Sequence, residues 1–313
     1  MKYVFGPVNS RRLGVSLGID IIPFKTCSFD CIYCECGHTT VLTDELKEYV
    51  PYNDVINEIE QVLSKHPMVD VVTFAGSGEP TLNSRMGDMI KYIKSNFPQY
   101  KVAVLTNSSM LHKKEVRRNI INADIIYPSL DAARPDVFKK IGRTIPGIDL
   151  NTIIDSLVLL RKEFKNKLSL EIFIINGLND TDEDLAKLKD ACTKISPDEI
   201  HINSLDRPGA EDWIKPATAE NLERIRDFFK PLPVRLLMKR EVPDNSKGYF
   251  SVYEDSVYDA IAKDRLSAEE ISNILNIRMF DVLRTVKNLQ AAGKVKEVLD
   301  KGVAYYHGVA RGT

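Results

Sequence analysis

From about residue 68 the chain alternates between short β-branched apolar runs and segments whose apolar residues recur at helical spacing. VDVVTFAG (69–76) is a β-branched run closed by glycine, the pattern of a buried parallel strand. The segment after it places Met86, Ile90, Ile93 and Phe97 on one helical face. KVAVLTN (101–107), a helix near 112–122 and DIIYPSLD (124–131) repeat the unit. After a long helical connection come LSLEIFIIN (168–176), a helix opening at Thr181 with a Thr-x-x-Asp capping signal, and EIHINSL (199–205). A helix over roughly 218–230 and a closing strand in PVRLLMK (233–239) end the series, and GVSLGIDII (14–22) stands in front of it. Repeated strand–helix units predict an α/β fold with a parallel sheet and helices outside it. Six or so units predict a partial (β/α)6 TIM-like barrel, smaller than the full eight-unit version. Chemistry in that architecture sits at the C-terminal strand ends. The loops there carry Gly78, Glu79, Asn107, Ser129, Asp131, Asn176, Asp206 and Arg207.

EVPDNSKG (241–248) reads as a linker, and beyond it the pattern changes. Three short amphipathic helices follow, one opened by a Ser267-x-x-Glu270 capping box, and then a hairpin around Asp300-Lys301-Gly302. The expected division is residues 1–245, a barrel with a short N-terminal extension, and 250–313, a winged helix-turn-helix module. The third helix of that module turns Met279, Val282, Val286 and Leu289 inward and Asp281, Arg284 and Asn288 outward. Residues 251–313 hold nine Lys+Arg and nine Asp+Glu, so the module lacks the basic footprint of a nucleic-acid binder. A protein or substrate-presenting partner suits it better than DNA.

No apolar run approaches the roughly 20 residues needed to span a bilayer, and MKYVFGPVNSRR has no signal-peptide core. A cytoplasmic protein with no membrane partner is expected. The net charge of −1 argues neither for nor against a polyanionic partner. Five cysteines, an odd number with three clustered, fit a reducing compartment and a metal site better than a disulfide framework.

Those three lie in CSFDCIYC, as Cys27, Cys31 and Cys34. A structural zinc site wants four closed ligands. An iron–sulfur cubane held by three thiolates keeps one iron open. A zinc loop completed by Cys36 or His38 is the competing reading. Cys36 reads as a bystander or a redox-sensitive neighbour, and Cys192, in line with Leu185, Leu188 and Ile195, as a core residue. The scattered histidines receive no role.

The Cys-x3-Cys-x2-Cys spacing, with Tyr33 just before the last cysteine, resembles the radical S-adenosylmethionine superfamily. GSGEP (76–80), at the end of the next strand, strengthens the likeness: glycines admit a ligand close to the backbone, and a carboxylate suits an ammonium. The resemblance implies a [4Fe–4S] cluster on Cys27, Cys31 and Cys34, with S-adenosylmethionine on the open iron. Reductive cleavage would release a 5′-deoxyadenosyl radical that abstracts hydrogen from a substrate. It also implies that Gly78 and Glu79 meet the methionine amino group, that Tyr33 lies against the adenine, and that Asn107, Ser129 and Asp131 approach the ribose or carboxylate. The substrate, an RNA base, a peptide or a small metabolite, would sit near Asp131, Asn203 and Arg207, and a flavodoxin or ferredoxin would supply the electron.

FGPVNSRRLGVSLGID, NGLND (176–180) and LDRPGAE (205–211) resemble the branch that contains the wyosine-building transfer-RNA enzymes. Those enzymes carry a second cysteine set before the radical motif, and here no cysteine precedes Cys27. Arg207 reads equally as an anion contact or a surface ion pair, and Arg11-Arg12 as a solvated pair before a phosphate contact. A regulator whose cluster controls DNA binding by the C-terminal module is the alternative function.

Overall fold

The β-branched runs pair edge to edge into one sheet, and the computed structural model describes it within residues 1–237, 253–300 and 302–309. The strands are β1 (Val4–Ser10), β2 (Gly14–Ile19), two short ones around the cysteine motif, β3 (Thr26–Cys27) and β4 (Val41–Leu42), then β5 (Val71–Phe74), β6 (Lys101–Thr106), β7 (Ile125–Pro128), β8 (Lys167–Ile174), β9 (Glu199–Ser204) and β10 (Val234–Leu236). The large sheet runs β1-β2-β5-β6-β7-β8-β9-β10, parallel throughout except for the antiparallel β1–β2 pair. Sequential parallel neighbours joined by helices are the signature of an α/β fold.

Alternation along each strand separates two faces. Leu168, Leu170, Ile172 and Ile174 of β8 are fully buried with the apolar faces of the helices. Ser169, Glu171 and Phe173 point the other way, as do His201 and Asn203 of β9, toward the concave side. Helix ends follow their local signals. Thr181 accepts from the Asp184 N–H at 3.2 Å, and Met86, Met89, Ile90 and Ile93 fill the buried side of the helix Met86–Asn96. Cys192 lies fully buried in the core, as its helical register predicts.

The short N-terminal extension before Gly14 is a strand of the sheet, because Val4–Ser10 pairs with β2 through a tight turn at Arg11-Arg12. The closing strand is described over Val234–Leu236, and residues 238–239 of the expected strand and the expected linker 241–248 lie outside the described residues.

Beyond residue 252 come three helices, Glu254–Lys263, Ala268–Leu275 and Met279–Ala291, and three antiparallel strands, β11 (Leu266–Ser267), β12 (Val295–Asp300) and β13 (Val303–Gly308), in the order β11-β13-β12. Val257, Ile261, Ile271, Val282, Val286, Leu289 and Tyr306 make a core of their own. The capping box forms as predicted, with Ser267 and Glu270 satisfying each other's backbone N–H groups. The third helix departs from expectation: Asp281 is 7% exposed, because it receives both arms of Arg278 at 2.8 and 2.9 Å. Arg278 itself sits over the ring of Phe5, in the sheet's first hairpin.

Candidate active site

The cysteine motif is a loop pinned at both ends. Thr26–Cys27 pairs with Val41–Leu42, and the Thr43 N–H donates to the Cys27 carbonyl at 2.9 Å. In the middle, Asp30 N–H and Ile32 N–H donate to the carbonyls of Gly142 and Ile141, both at 3.0 Å. Ile32 is fully buried, and Phe29 meets Phe138 edge to face. No cysteine is in a disulfide. The sulfurs attract fixed donors: Lys25 Nζ lies 3.3 Å from Cys34 Sγ, Asn107 Nδ2 3.4 Å from Cys27 Sγ, and the Phe29 N–H 3.5 Å from Cys27 Sγ.

Burial first, and then the nearby Glu79 carboxylate, pushes the Cys27 thiol up to about 12. Burial raises Cys31 too, with Cys27 and Cys34 adding to it. Cys34 is lowered to about 6, chiefly by a hydrogen bond with Cys36, so Cys36 is in contact with the motif. A bound cation reverses this balance, since it takes the thiols as thiolates. Among the described residues, no three His, Cys, Asp or Glu side chains gather as ligands of one ion. Three thiolates on one loop, with donors fixed toward two of their sulfurs, are a donor set for a cubane that keeps one iron open, whereas a structural zinc wants four closed ligands.

The GSGEP turn at the end of β5 is stitched to that loop. The Lys25 N–H donates to the Ser77 carbonyl at 2.9 Å, and the Glu79 N–H donates to the Thr26 carbonyl at 3.2 Å. Gly78 permits the approach: a Cβ there would stand 2.1 Å from the Thr26 carbonyl oxygen. Glu79 is 2% exposed and turned into the fold. Its carboxylate accepts from the Thr81 N–H at 3.0 Å, the Thr106 hydroxyl at 2.7 Å, the Asn107 N–H at 2.7 Å and the Thr81 hydroxyl. Burial raises its pKa and these donors oppose the rise. Those bonds tie the turn to the end of β6.

Beside the cysteines a small pocket, with a cavity volume of about 20 Å³, brings together Tyr33, Asn107, Ser129 and Asp131, and Phe29, Phe138 and Gly142 share its wall. Tyr33 stacks on Phe173 with ring centroids 4.0 Å apart and planes 9° from parallel. Its hydroxyl donates to Asp131 Oδ2 at 2.5 Å, while Asp131 Oδ1 accepts from the Phe173 N–H at 2.8 Å. Burial pushes the Asp131 carboxyl up to about 7 against those two hydrogen bonds. Ser129 is held by backbone bonds, its N–H to the Thr106 carbonyl at 2.9 Å and its own carbonyl accepting from Ser108 Oγ at 2.8 Å.

Other candidates land differently. Arg12 is not a solvated residue: it makes a bidentate pair with Glu171 on the concave face, and Asn203 Nδ2 reaches the same carboxylate at 3.3 Å. Arg11 Nη1 donates to the Leu237 carbonyl at 3.3 Å, joining the first hairpin to the far edge of the sheet. Arg207 forms an exposed ion pair with Glu35 at 3.3 Å. Asn176 is exposed, whereas Asn179, which sequence reasoning passed over inside NGLND, is fully buried. Asn179 Nδ2 donates to the carbonyls of Asp131 and Phe173 at 2.7 and 2.8 Å, locking β7 to β8. Gly209 lies against the cysteine loop, where a Cβ would stand 2.9 Å from Tyr33 Cα. Asp20 and Lys25 were also missed; the signal was their position at a strand end and just before the first cysteine.

Residues 21–190, just over half the chain, match the family model described as the radical SAM superfamily. The chain belongs to that superfamily. Radical SAM proteins of known fold resemble it in architecture. A radical SAM methyltransferase from Sphaerobacter thermophilus superposes with a TM-score of 0.53 at 16% identity, covering 71% of this chain and 66% of that one. That likeness speaks to the fold. Among curated relatives, a protein named GTPase Obg from Brachyspira hyodysenteriae is 34% identical over 306 residues, covering 97% of this chain and 45% of the relative. The chain thus spans less than half of that protein's length. A UPF0026 protein of Helicobacter pylori is 31% identical over 290 residues, with 92% of each chain covered. No helix among the described residues of this radical SAM protein is long and apolar enough to cross a membrane.

Proposed function

We propose that Cys27, Cys31 and Cys34 hold a [4Fe–4S] cluster whose open iron is left to S-adenosylmethionine, and that the chain is a radical S-adenosylmethionine enzyme. The observation that carries this reading is the stitching of the cysteine loop to the GSGEP turn through Lys25, Thr26, Ser77, Gly78 and Glu79. A zinc loop has no use for a turn brought in from the next strand. When bound, the cluster and S-adenosylmethionine supply a 5′-deoxyadenosyl radical able to abstract hydrogen from a substrate.

The chain's own residues bind and orient. Lys25 and Asn107 donate toward Cys34 and Cys27, which offsets thiolate charge in a partly buried loop. The backbone of the turn at Gly78 receives the methionine amino group, and Glu79 fixes that backbone through Thr81, Thr106 and Asn107. Tyr33 serves the adenine, with Phe173 supporting its other face and Asp131 anchoring its hydroxyl. Asn107 and Ser129 serve the ribose or carboxylate from the pocket wall. The substrate, an RNA base, a peptide or a small metabolite, sits over the strand ends near Asp131 and Asn203, and Arg207 at the rim meets it only by leaving Glu35. A flavodoxin or ferredoxin supplies the electron.

We assign residues 1–245 to the catalytic barrel and 250–313 to a winged-helix unit that engages protein or presents substrate. DNA control is disfavoured because Arg278 and Asp281 of the third helix are buried, at 7% exposure each.

The test is anaerobic reconstitution with iron and sulfide, reduction with dithionite, and chromatographic detection of 5′-deoxyadenosine from S-adenosylmethionine. Production that depends on each of the three cysteines supports the reading. A fully loaded, reducible cluster that yields none overturns it.

A further inference from the structure

The stretch that sets the C-terminal helices against the sheet contains a second buried charge cluster, reaching the cofactor turn from behind. Asp20, at the end of β2, is 6% exposed. Its Oδ2 accepts from the Ser77 N–H at 3.0 Å and from the Ser77 hydroxyl at 2.7 Å, so it clasps the second residue of GSGEP. Gly76 is required for this clasp, since a Cβ there would stand 2.1 Å from Asp20 Cγ. A carboxylate this buried needs a cation or loses its charge.

The cation within ion-pair distance, among the described residues, comes from the C-terminal helices. Arg278 Nη1 lies 3.5 Å from Asp20 Oδ2, and both side chains are nearly inaccessible. Arg278 is held there on three sides. Its guanidinium sits over the Phe5 ring, 3.4 Å from the centroid, and Nε and Nη2 pair with Asp281 at 2.8 and 2.9 Å. Phe5 in turn lies against Gly18, where a Cβ would stand 2.0 Å from the ring. A chain of contacts therefore runs Asp281–Arg278–Asp20–Ser77, ending in the turn whose other face touches the cysteine loop.

We propose that Arg278 is a positioning residue for S-adenosylmethionine: by compensating Asp20 it holds Ser77 and the GSGEP backbone in the geometry that receives the methionine moiety, so docking of the C-terminal helices sets cofactor affinity. This rests on the radical S-adenosylmethionine reading above. With Arg278 neutral, the Asp20 carboxylate has no buried counter-charge. It then takes up a proton or turns to water, and in either case the clasp on Ser77 weakens.

The test uses full-length protein with reconstituted clusters. It measures S-adenosylmethionine binding by equilibrium dialysis, and the change in the electron paramagnetic resonance spectrum of the reduced cluster when S-adenosylmethionine is added. R278Q is expected to keep its iron and sulfide content yet bind S-adenosylmethionine at least tenfold more weakly, with R278K recovering most of the loss. In a D20N background, where no carboxylate remains to compensate, R278Q is expected to cost less than threefold. Wild-type affinity in iron-loaded R278Q overturns the proposal, and so does a tenfold loss that persists in the D20N background, because that marks a general loosening of the C-terminal helices. Failure of the wild type itself to load a cluster or bind S-adenosylmethionine strikes the underlying reading instead.

Discussion

Arg12, at the tip of the first hairpin, holds Glu171 of β8 in a bidentate ion pair across the concave face of the sheet. Together with the Arg11 bond to the Leu237 carbonyl, this fastens the N-terminal hairpin to the far half of an open sheet. Removing Glu171 leaves the Arg12 charge, 20% exposed, without its partner, which costs less than the about 3–5 kcal/mol of a fully buried pair. Glu171→Gln should therefore lower the unfolding free energy by about 1–3 kcal/mol, read by denaturant titration.

The same pair sets a pH dependence. Burial raises the Glu171 pKa, but Arg12 outweighs it and holds the carboxyl below its ordinary value. A depressed folded-state pKa contributes stability above the unfolded value of about 4.3, and that contribution is lost as pH falls through the folded value. The stability gap between wild type and Glu171→Gln should be full near neutral pH and shrink below about pH 4. A gap that stays constant through the acid range would remove the ion pair as its cause.

Cys31 and Cys36 should separate ligand from neighbour. Cys31→Ala is expected to lose the cluster, with iron content falling to background and no 5′-deoxyadenosine formed. Cys36→Ala removes only the hydrogen bond to Cys34 and should keep most of its iron, measured by colorimetric iron and sulfide assay. Equal loss in both would make Cys36 a ligand.

Two glycines let neighbouring backbone press on the cysteine loop, Gly78 on Thr26 and Gly209 on Tyr33. A methyl group at 78 meets a carbonyl oxygen at 2.1 Å, and backbone cannot yield as a flexible side chain does. Gly78→Ala should therefore weaken S-adenosylmethionine binding by at least tenfold (about 1.4 kcal/mol) and also lower iron retention. Gly209→Ala, with contacts at 2.8 to 3.0 Å, should have the milder effect. Dialysis binding and iron assays on the two variants in parallel check the order.

Tyr33→Phe keeps the ring stack on Phe173 and removes one donor from the buried Asp131 carboxyl. An unsatisfied buried acceptor costs about 1–3 kcal/mol, so the variant should be destabilised by that order while still binding S-adenosylmethionine. Tyr33→Ala, which also loses the ring, should lose binding as well. If Phe and Ala variants bind alike, the ring has no part in cofactor recognition.

Much was readable along the chain because it depends on local periodicity. The buried strands of VDVVTFAG and LSLEIFIIN, the helix caps at Thr181 and Ser267, and the core register of Cys192 follow from side-chain spacing over a few residues. Tyr33, Asn107, Ser129 and Asp131, which the resemblance grouped, line one pocket. The motifs behind the branch resemblance proved to be parts of the frame. Phe5 covers Gly18, Arg12 pairs with Glu171, Asn179 locks β7 to β8, and Gly209 backs Tyr33.

Only the tertiary structure decided which polar groups were already spent. The Glu79 carboxylate accepts from Thr81, Thr106 and Asn107; Arg12 looked solvated and is paired with Glu171; Asp281 looked outward and faces Arg278. Each outcome depends on a partner at least one element away in the chain, or on a face that another element covers. Spacing along one strand or helix says which way a side chain points, but long-range packing determines what waits there. That is why the elements and the cysteine motif could be read from residue order, while the roles of the charged residues waited on the fold.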